Sequence, residues 1–217
     1  MRVVKYVAGW PPERFPNGIV TATSVLAPAM RARGCDLRIL AATGVSTDDR
    51  VSLLGDTAKV VDRLLIHRIQ GRVRPQSAVF TLGAEQIARA ISQTPGLRTA
   101  DLLEIEESFG WTALLRKRLT MPIVVGLHGP WFLNGAALND GIFDVQGRER
   151  VSREGCAIAS AEAICARSRY VLNAVREYYA LELREAATIP NPAQPAEQQS
   201  LWRRDKADPN EILFVGR

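Results

Sequence analysis

Pro122-Ile123-Val124-Val125-Gly126-Leu127 is the stretch on which the reading of this chain turns. Its apolar residues are consecutive rather than alternate, so the strand it predicts is covered on both faces. That is the pattern of a central strand in a parallel sheet. The run stops at His128-Gly129, which puts a titratable side chain where the strand ends.

Shorter runs of the same kind recur on either side: Val3 to Ala8, Leu37 to Ala41, Asp101 to Ile105, Ala163 to Ala166 and Ala187 to Ile189. Between them lie segments with helical spacing. Gly18 to Arg33 is one, with Asn17 placed to cap it, Gly34 to close it, and Pro28 inside it predicting a kink or a loosened first half. Pro75 to Gln93 is opened by proline. Trp111 to Leu119, Arg148 to Ser160 and a helix capped by Ser168 and running through Tyr179 complete the set. Val45 to Arg74 reads less cleanly: Asp48 to Leu65 has partial helical spacing, and Leu64 to Ile69 is strand-like.

Strands alternating with helices indicate the α/β class, a Rossmann-like parallel sheet with helices on both faces. Such sheets bind ligands beyond the carboxyl ends of their strands, near the switch in strand order. Four places are thereby singled out: Gly9 to Gly18, Glu106 to Gly110, His128 to Asn134, and Ser168-Arg169.

Composition narrows the classes further. At about 150 residues per domain, the chain is roughly 1.4 domains long. Its 47% hydrophobic and 24% charged residues exclude disordered and fibrous classes. No apolar run approaches the roughly 18 residues of a membrane span, and the N-terminus reads straight into a strand without a signal-peptide core. Cys35, Cys156 and Cys165 are odd in number and form no C-x-x-C pair, against a disulfide framework or a thiolate zinc site. The expectation is a soluble, cytoplasmic protein. Lysine stands only at Lys5, Lys59, Lys117 and Lys206, so arginine supplies 24 of the 28 basic residues behind a net charge of +5. Arginine's planar fork suits phosphate and carboxylate, but these residues are scattered and balanced by 23 acids, so no nucleic acid is expected as a partner.

Several residues stand out for their chemistry. His128 can hydrogen-bond a sugar hydroxyl or a phosphate oxygen, with a charge that small environmental changes set; Gly129 beside it leaves space for a ligand. Asn17-Gly18 opens a helix, where free N–H groups and the dipole favour anions, although simple capping explains it equally. No G-x-G-x-x-G follows the first strand, and Gly9-Trp10-Pro11-Pro12 lacks the donors, which disfavours a dinucleotide oxidoreductase. Glu104, Glu106 and Glu107 with Ser108 suggest an acceptor contact or hydrolytic carboxylates, against the plainer reading of a solvated edge. Trp131-Phe132-Leu133 is an apolar triplet in a loop, either a buried plug or an acceptor or membrane contact. Ser168 is first a helix cap, and Arg169 a phosphate ligand candidate; His67 is read as structural or exposed. From Asn191 to Asn210 the chain turns polar and proline-punctuated, and Ile212 to Arg217 opens a new apolar run.

Taken in order, these segments resemble the N-terminal half of a GT-B glycosyltransferase, most like the large retaining family numbered four. Asn17-Gly18-Ile19-Val20 with Leu26 to Leu37 is similar to that family's Gly-Gly opening and its Leu-Ala … Arg-Gly-His segment, with Asn17 for the first glycine and Cys35 for the histidine. Val125-Gly126-Leu127-His128-Gly129 looks like its strand ending in histidine. Ala163 to Val171 resembles its Ala-Pro-Ser-Arg-Tyr turn, with Arg167 in place of proline. Ile189-Pro190-Asn191-Pro192 and Ile212 to Arg217 resemble its exit and the strand opening its donor-binding domain.

The resemblance implies an acceptor-side domain over 1–190, a linker over 191–210, and over 211–217 the first strand of a donor-binding C-terminal domain that carries a Glu-x7-Glu motif. It implies His128 as the active-site histidine. It also implies donor phosphates at Asn17, Gly18 and Arg217, and a cleft bordered by Glu106, Ser108, Gly129, Trp131, Ser168 and Arg169. The reaction would be retaining transfer of a hexosyl-type sugar from a nucleotide-sugar to a hydroxyl on a saccharide or lipid-linked acceptor. No cofactor and no metal are expected. These 217 residues alone are expected to be inactive, and the basic balance with Trp131 permits peripheral contact with the inner face of a membrane. The competing readings are a non-catalytic saccharide- or anion-binding module and half of a sugar-nucleotide 2-epimerase.

Overall fold

In a computed structural model, β1 (Arg2–Val7) is a strand whose residues from Val3 onward are all buried, as a central position demands. The structure describes residues 1–46, 48–54, 75–108, 110–138, 144–192 and 208, with backbone alone for 75–79 and 136–138. β1 joins β2 (Asp36–Ala41), β3 (Val51–Leu53), β4 (Leu102–Glu106), β5 (Ile123–Leu127), β6 (Ala163–Ala166) and β7 (Ala186–Thr188) in one sheet of order β3-β2-β1-β4-β5-β6-β7. Every pairing is parallel. Strand order reverses between β1 and β4, the place where such sheets open a crevice.

Helices fill the connections: α1 (Gly18–Ala32), α2 (Pro75–Gln93), α3 (Pro95–Arg98), α4 (Thr112–Leu115), α5 (Trp131–Leu138), α6 (Val145–Ala159) and α7 (Arg169–Tyr179). Right-handed crossovers send a helix to one face when the chain moves one way across the sheet and to the other when it moves back. α1 accordingly packs Val20 and Ala27 on Val3, Val7, Leu37, Ile39 and Ala41. The opposite face packs Val4, Leu103, Ile105, Val125 and Ile164 against α2 (Ile87, Ile91), α4 (Leu115), α6 (Val151, Ile158) and α7 (Leu172, Val175). The expected two-faced α/β sheet is therefore present.

Register decides which polar residues meet. Lys5 pairs with Glu104, Glu104 with Val124, Glu106 with Gly126, and Gly126 with Cys165. Partners in a parallel pair share a face, and side chains alternate along each strand. Lys5, Glu104, Glu106, Gly126 and Cys165 thus lie on the α1 face, while Leu103 and Ile105 enter the opposite core.

Asn17 caps α1 by accepting from the Ile19 N–H at 2.8 Å, Gly34 closes it at φ +79°, and Ser168 caps α7 by accepting from the Val171 N–H at 3.2 Å. Pro28 lies on the exposed side of α1 and does not end it. Four expectations are corrected. Trp131-Phe132-Leu133 is not a loop but the start of α5, because a carboxylate from α6 caps it: Glu154 accepts from the Trp131 N–H at 2.6 Å. The helix expected over Trp111 to Leu119 contracts to α4, and the one expected from Arg148 begins at Val145, where Asp144 caps it by accepting from the Gly147 N–H at 2.6 Å. Helical spacing from Asp48 gives way to β3, which the edge of β2 recruits. The rest of that region, with His67, lies outside the described residues, as do 193–207 and 209–217 with Arg217.

Leu103 is fully buried in the main core. Leu103→Ala is expected to cost roughly 2–5 kcal/mol through the lost transfer energy and the cavity left behind, read as a lower denaturation midpoint; a loss under about 1 kcal/mol would contradict this packing.

Candidate functional site

The site grows from a charge placed inside the sheet. Lys5 is only 4% exposed, and its ammonium group is hydrogen-bonded to Glu104 Oε1 on the neighbouring strand. Arg167, the first residue after β6, reaches the same oxygen with Nη2 at 3.0 Å. Its Nη1 donates to Cys165 Sγ at 3.2 Å and to the Ile189 carbonyl at 3.5 Å, and its Nε faces His128 Nε2 at 3.5 Å. One carboxylate thus serves two cations. Burial is the largest influence on Glu104 and pushes its carboxyl up, but Lys5 and Arg167 together outweigh it and hold the group below its ordinary range.

His128 completes the cluster from the end of β5. Burial first, then repulsion from Arg167 and Lys5, pushes its imidazole down to about 3 against a weaker opposing pull from Glu104. This corrects the expected environment-sensitive charge: the ring is neutral throughout the physiological range. A neutral imidazole accepts on one nitrogen and donates from the other. With Nε2 facing the Arg167 N–H, Nδ1 carries the proton and is the donor. Gly126 forms the floor, since a Cβ there would stand 3.4 Å from both Arg167 Nη2 and His128 Nε2.

Lys5, His128 and Arg167 open into a cleft of about 210 Å³, including its open mouth, bounded by Ile19, Ala22, Thr23 and Leu26 of α1 and by Asn191 and Pro192. With Glu104 ionised and His128 neutral, Lys5 and Arg167 share one carboxylate in this wall, and Glu106 stands on the same face within electrostatic reach of Lys5.

The expected site residues divide. His128 stands in the cleft. The Asn17 side chain is spent on capping α1, while a Cβ at Gly18 would meet nothing within 4 Å, so the approach to the helix N-terminus is open. The space over Gly129 is not free for a ligand: a Cβ there would lie 2.5 Å from Asn134 Nδ2, which donates to the Gly129 carbonyl at 2.7 Å. The acids are no solvated edge. Glu106 and Glu107 are 8% and 1% exposed, and Ser108 Oγ donates to Glu106 Oε2 at 3.4 Å. Burial pushes the Glu106 carboxyl up. Trp131 lies 4.2 Å beneath the Arg150 guanidinium, and Phe132 is buried and stacked on Tyr178 at 4.0 Å, which is the plug arrangement. The Ser168 hydroxyl caps α7, and Arg169 is exposed on its first turn.

Reading the sequence for site residues missed Lys5, Arg167 and the floor at Gly126. The signal was present: Lys5 and Glu104 each stand between apolar neighbours within a strand.

Comparison with known proteins follows from this geometry. The description of Glycosyltransferase Family 4 matches residues 16–197. Compared with curated proteins, the chain matches none. Among solved structures it is similar to a UGT transferase from Siraitia grosvenorii in complex with UDP, at 12% identity over 92% of this chain and 50% of that one, TM-score 0.51. It is also similar to the UDP-GlcNAc 2-epimerase of Methanocaldococcus jannaschii (11%, 88% and 46%, TM-score 0.49). A third is a UDP-glucosyltransferase of Polygonum tinctorium capable of glucosylating indoxyl (8%, 96% and 55%, TM-score 0.46). At such identities the first of these supports the fold alone. The chain spans about half the length of these structures. No described helix is long and apolar enough to cross a membrane.

The neutrality of His128 has a stability consequence. Its folded value, about 3, lies below the unfolded value of about 6.5. As pH falls through that window the unfolded chain takes up a proton that the folded one refuses, so this group's contribution to stability declines. Nitrogen-15 NMR of the ring should show a neutral imidazole from pH 8 to pH 5, and Arg167→Met should raise the titration midpoint. A wild-type midpoint near 6.5 would contradict the placement.

Proposed function

The chain belongs to glycosyltransferase family 4, and from that premise we propose that it is the acceptor-side domain of an enzyme moving a sugar from a nucleotide-activated donor to a hydroxyl acceptor. The observation that supports this most is the cleft wall, where a neutral histidine stands beside two cations that share one carboxylate at the switch in strand order. A sugar diphosphate offers matching chemistry: hydroxyls for the His128 Nδ1–H and negative charge for Arg167 and Lys5. As the glycosidic bond to the diphosphate breaks, charge accumulates on the leaving oxygen, and fixed donors stabilise it without reorganising. The open N-terminus of α1 at Gly18 adds backbone N–H groups and the positive end of a helix dipole.

On this reading the reaction retains anomeric configuration, and donor charge is met by backbone N–H groups and arginines without a metal. A second α/β domain of the full-length protein holds the nucleotide through a Glu-x7-Glu motif. The acceptor is a saccharide or a lipid-linked saccharide, met on the cytoplasmic side with peripheral membrane contact, and no nucleic acid takes part. The 217-residue chain alone is inactive.

The test is transfer by the full-length protein from a panel of sugar nucleotides to hydroxyl acceptors, with product configuration read by NMR. Transfer with retention is the expected result, and none by the 217-residue chain alone. Isomerisation of a sugar nucleotide without acceptor, or transfer by this chain alone, overturns the reading.

His128→Ala is expected to lower kcat by roughly 10²-fold, the scale of losing one oriented donor. Gly18→Ala separates binding from folding. The added methyl group meets no neighbour and should raise stability by about 0.4–1 kcal/mol, so a raised donor KM with an undiminished melting temperature reads out crowding of the ligand. An unchanged KM removes the α1 N-terminus from the donor site.

A further inference from the structure

Immediately after β4 the chain places Glu107, 1% exposed, on the far side of the sheet from the cleft. Its backbone N–H continues the ladder by donating to the Gly126 carbonyl at 3.2 Å, which fixes where its side chain starts. The carboxylate then reaches the end of β5. It accepts from the His128 N–H at 3.1 and 3.2 Å on its two oxygens, and from the Gly129 N–H at 2.7 Å on Oε1. Further along the same turn, Glu154 of α6, fully buried, accepts from the Trp131 N–H at 2.6 Å and from Arg150 Nε at 2.8 Å. The backbone from His128 to Trp131 is therefore suspended between two buried carboxylates.

We propose that Glu107 is a positioning residue for His128, holding two consecutive backbone N–H groups so that the imidazole is aimed into the cleft. Glycine follows His128, and glycine leaves φ and ψ freer than any other residue; without an external anchor the direction of the preceding side chain would be poorly fixed. Glu107 does not border the cleft, so it acts through His128 and not on substrate. The proposal rests on the reading of His128 as a group that meets the sugar donor.

The anchor responds to pH near neutrality. Burial first, reinforced by Glu106 and opposed by the backbone N–H groups of Gly129, of Glu107 itself and of His128, pushes the Glu107 carboxyl up to about 7. The titratable and charged groups around it are Glu106 on β4, Tyr179 on α7, and Glu154 with Arg150 on α6. None of these is a cation in contact with Glu107. The ionised carboxylate is the stronger acceptor for N–H donors. As pH falls through about 7 the group takes up a proton, and the grip on His128 and Gly129 loosens.

In the full-length enzyme, Glu107→Gln is expected to lower kcat by roughly 10- to 100-fold while donor and acceptor KM stay within about twofold. The fall in wild-type kcat below about pH 7 should disappear in the variant. Placed in a His128→Ala background, it should add almost nothing. A kcat within twofold of wild type, or a full additional loss in that background, overturns the proposal. Exchange rates of the His128 and Gly129 amides in the wild-type chain test the anchor without any substitution. Protection that falls with pH through about 7, after correction for intrinsic rates, supports it, and constant protection overturns it. If His128→Ala leaves turnover intact, the functional reading of His128 fails and the proposal fails with it, whereas the exchange result still reports on the hydrogen bonds themselves.

Discussion

Glu104 shares one negative charge between Lys5 and Arg167 at the seam where the strand order reverses. Removing three ionised groups from water costs several kcal/mol per ion, and their attraction repays that only when each charge is well matched. Here two cations share the one carboxylate of Glu104, with Glu106 further along the same face, and the cluster opens into a cleft instead of closing on itself. An anionic group entering there would complete the pairing. Burial first, and then the same two cations, keep a proton off His128, so the setting that draws an anion also holds the histidine as a neutral donor.

The strand β4 separates two uses of a carboxylate. Glu104, on the cleft side, lies beside cations and is held ionised. Glu107, beyond the strand end on the opposite side, meets only backbone N–H groups and titrates near neutrality. Their effects on folding run in opposite directions. A carboxyl raised above its unfolded value loses stability as pH rises towards about 7, whereas the depressed His128 gains stability as pH rises to about 6.5. Between roughly pH 4.5 and 6.5 the two slopes oppose each other, so pH-dependent stability alone would conceal both.

Local pattern made the sheet legible. Residues 122–127 announced a strand covered on both faces, and Asn17, Gly34 and Ser168 marked helix ends that the structure confirms. Where the reading failed, the missing information was tertiary. The start of α5 is capped by a glutamate 23 positions away along the chain, so nothing near Trp131 signals a helix. Glu106 and Glu107 read as a wet edge because acids beside a loop usually are one; both are buried, on opposite faces of the sheet, by elements distant in the sequence. The site was half legible. His128 was visible as a titratable residue ending an apolar strand, but Lys5 and Arg167 are 162 residues apart along the chain. They meet only because β1, β4, β5 and β6 lie in that order.

The central claim is that the wall formed by Lys5, His128 and Arg167 receives the sugar diphosphate. A crystal structure of the full-length protein with a bound nucleotide-sugar tests it most directly. The account predicts a phosphate or sugar oxygen within hydrogen-bond reach, about 3 Å, of the His128 ring and the Arg167 guanidinium, with Glu104 still bridging the two cations. A donor seated elsewhere, with this cluster unchanged and filled only by water, would contradict it.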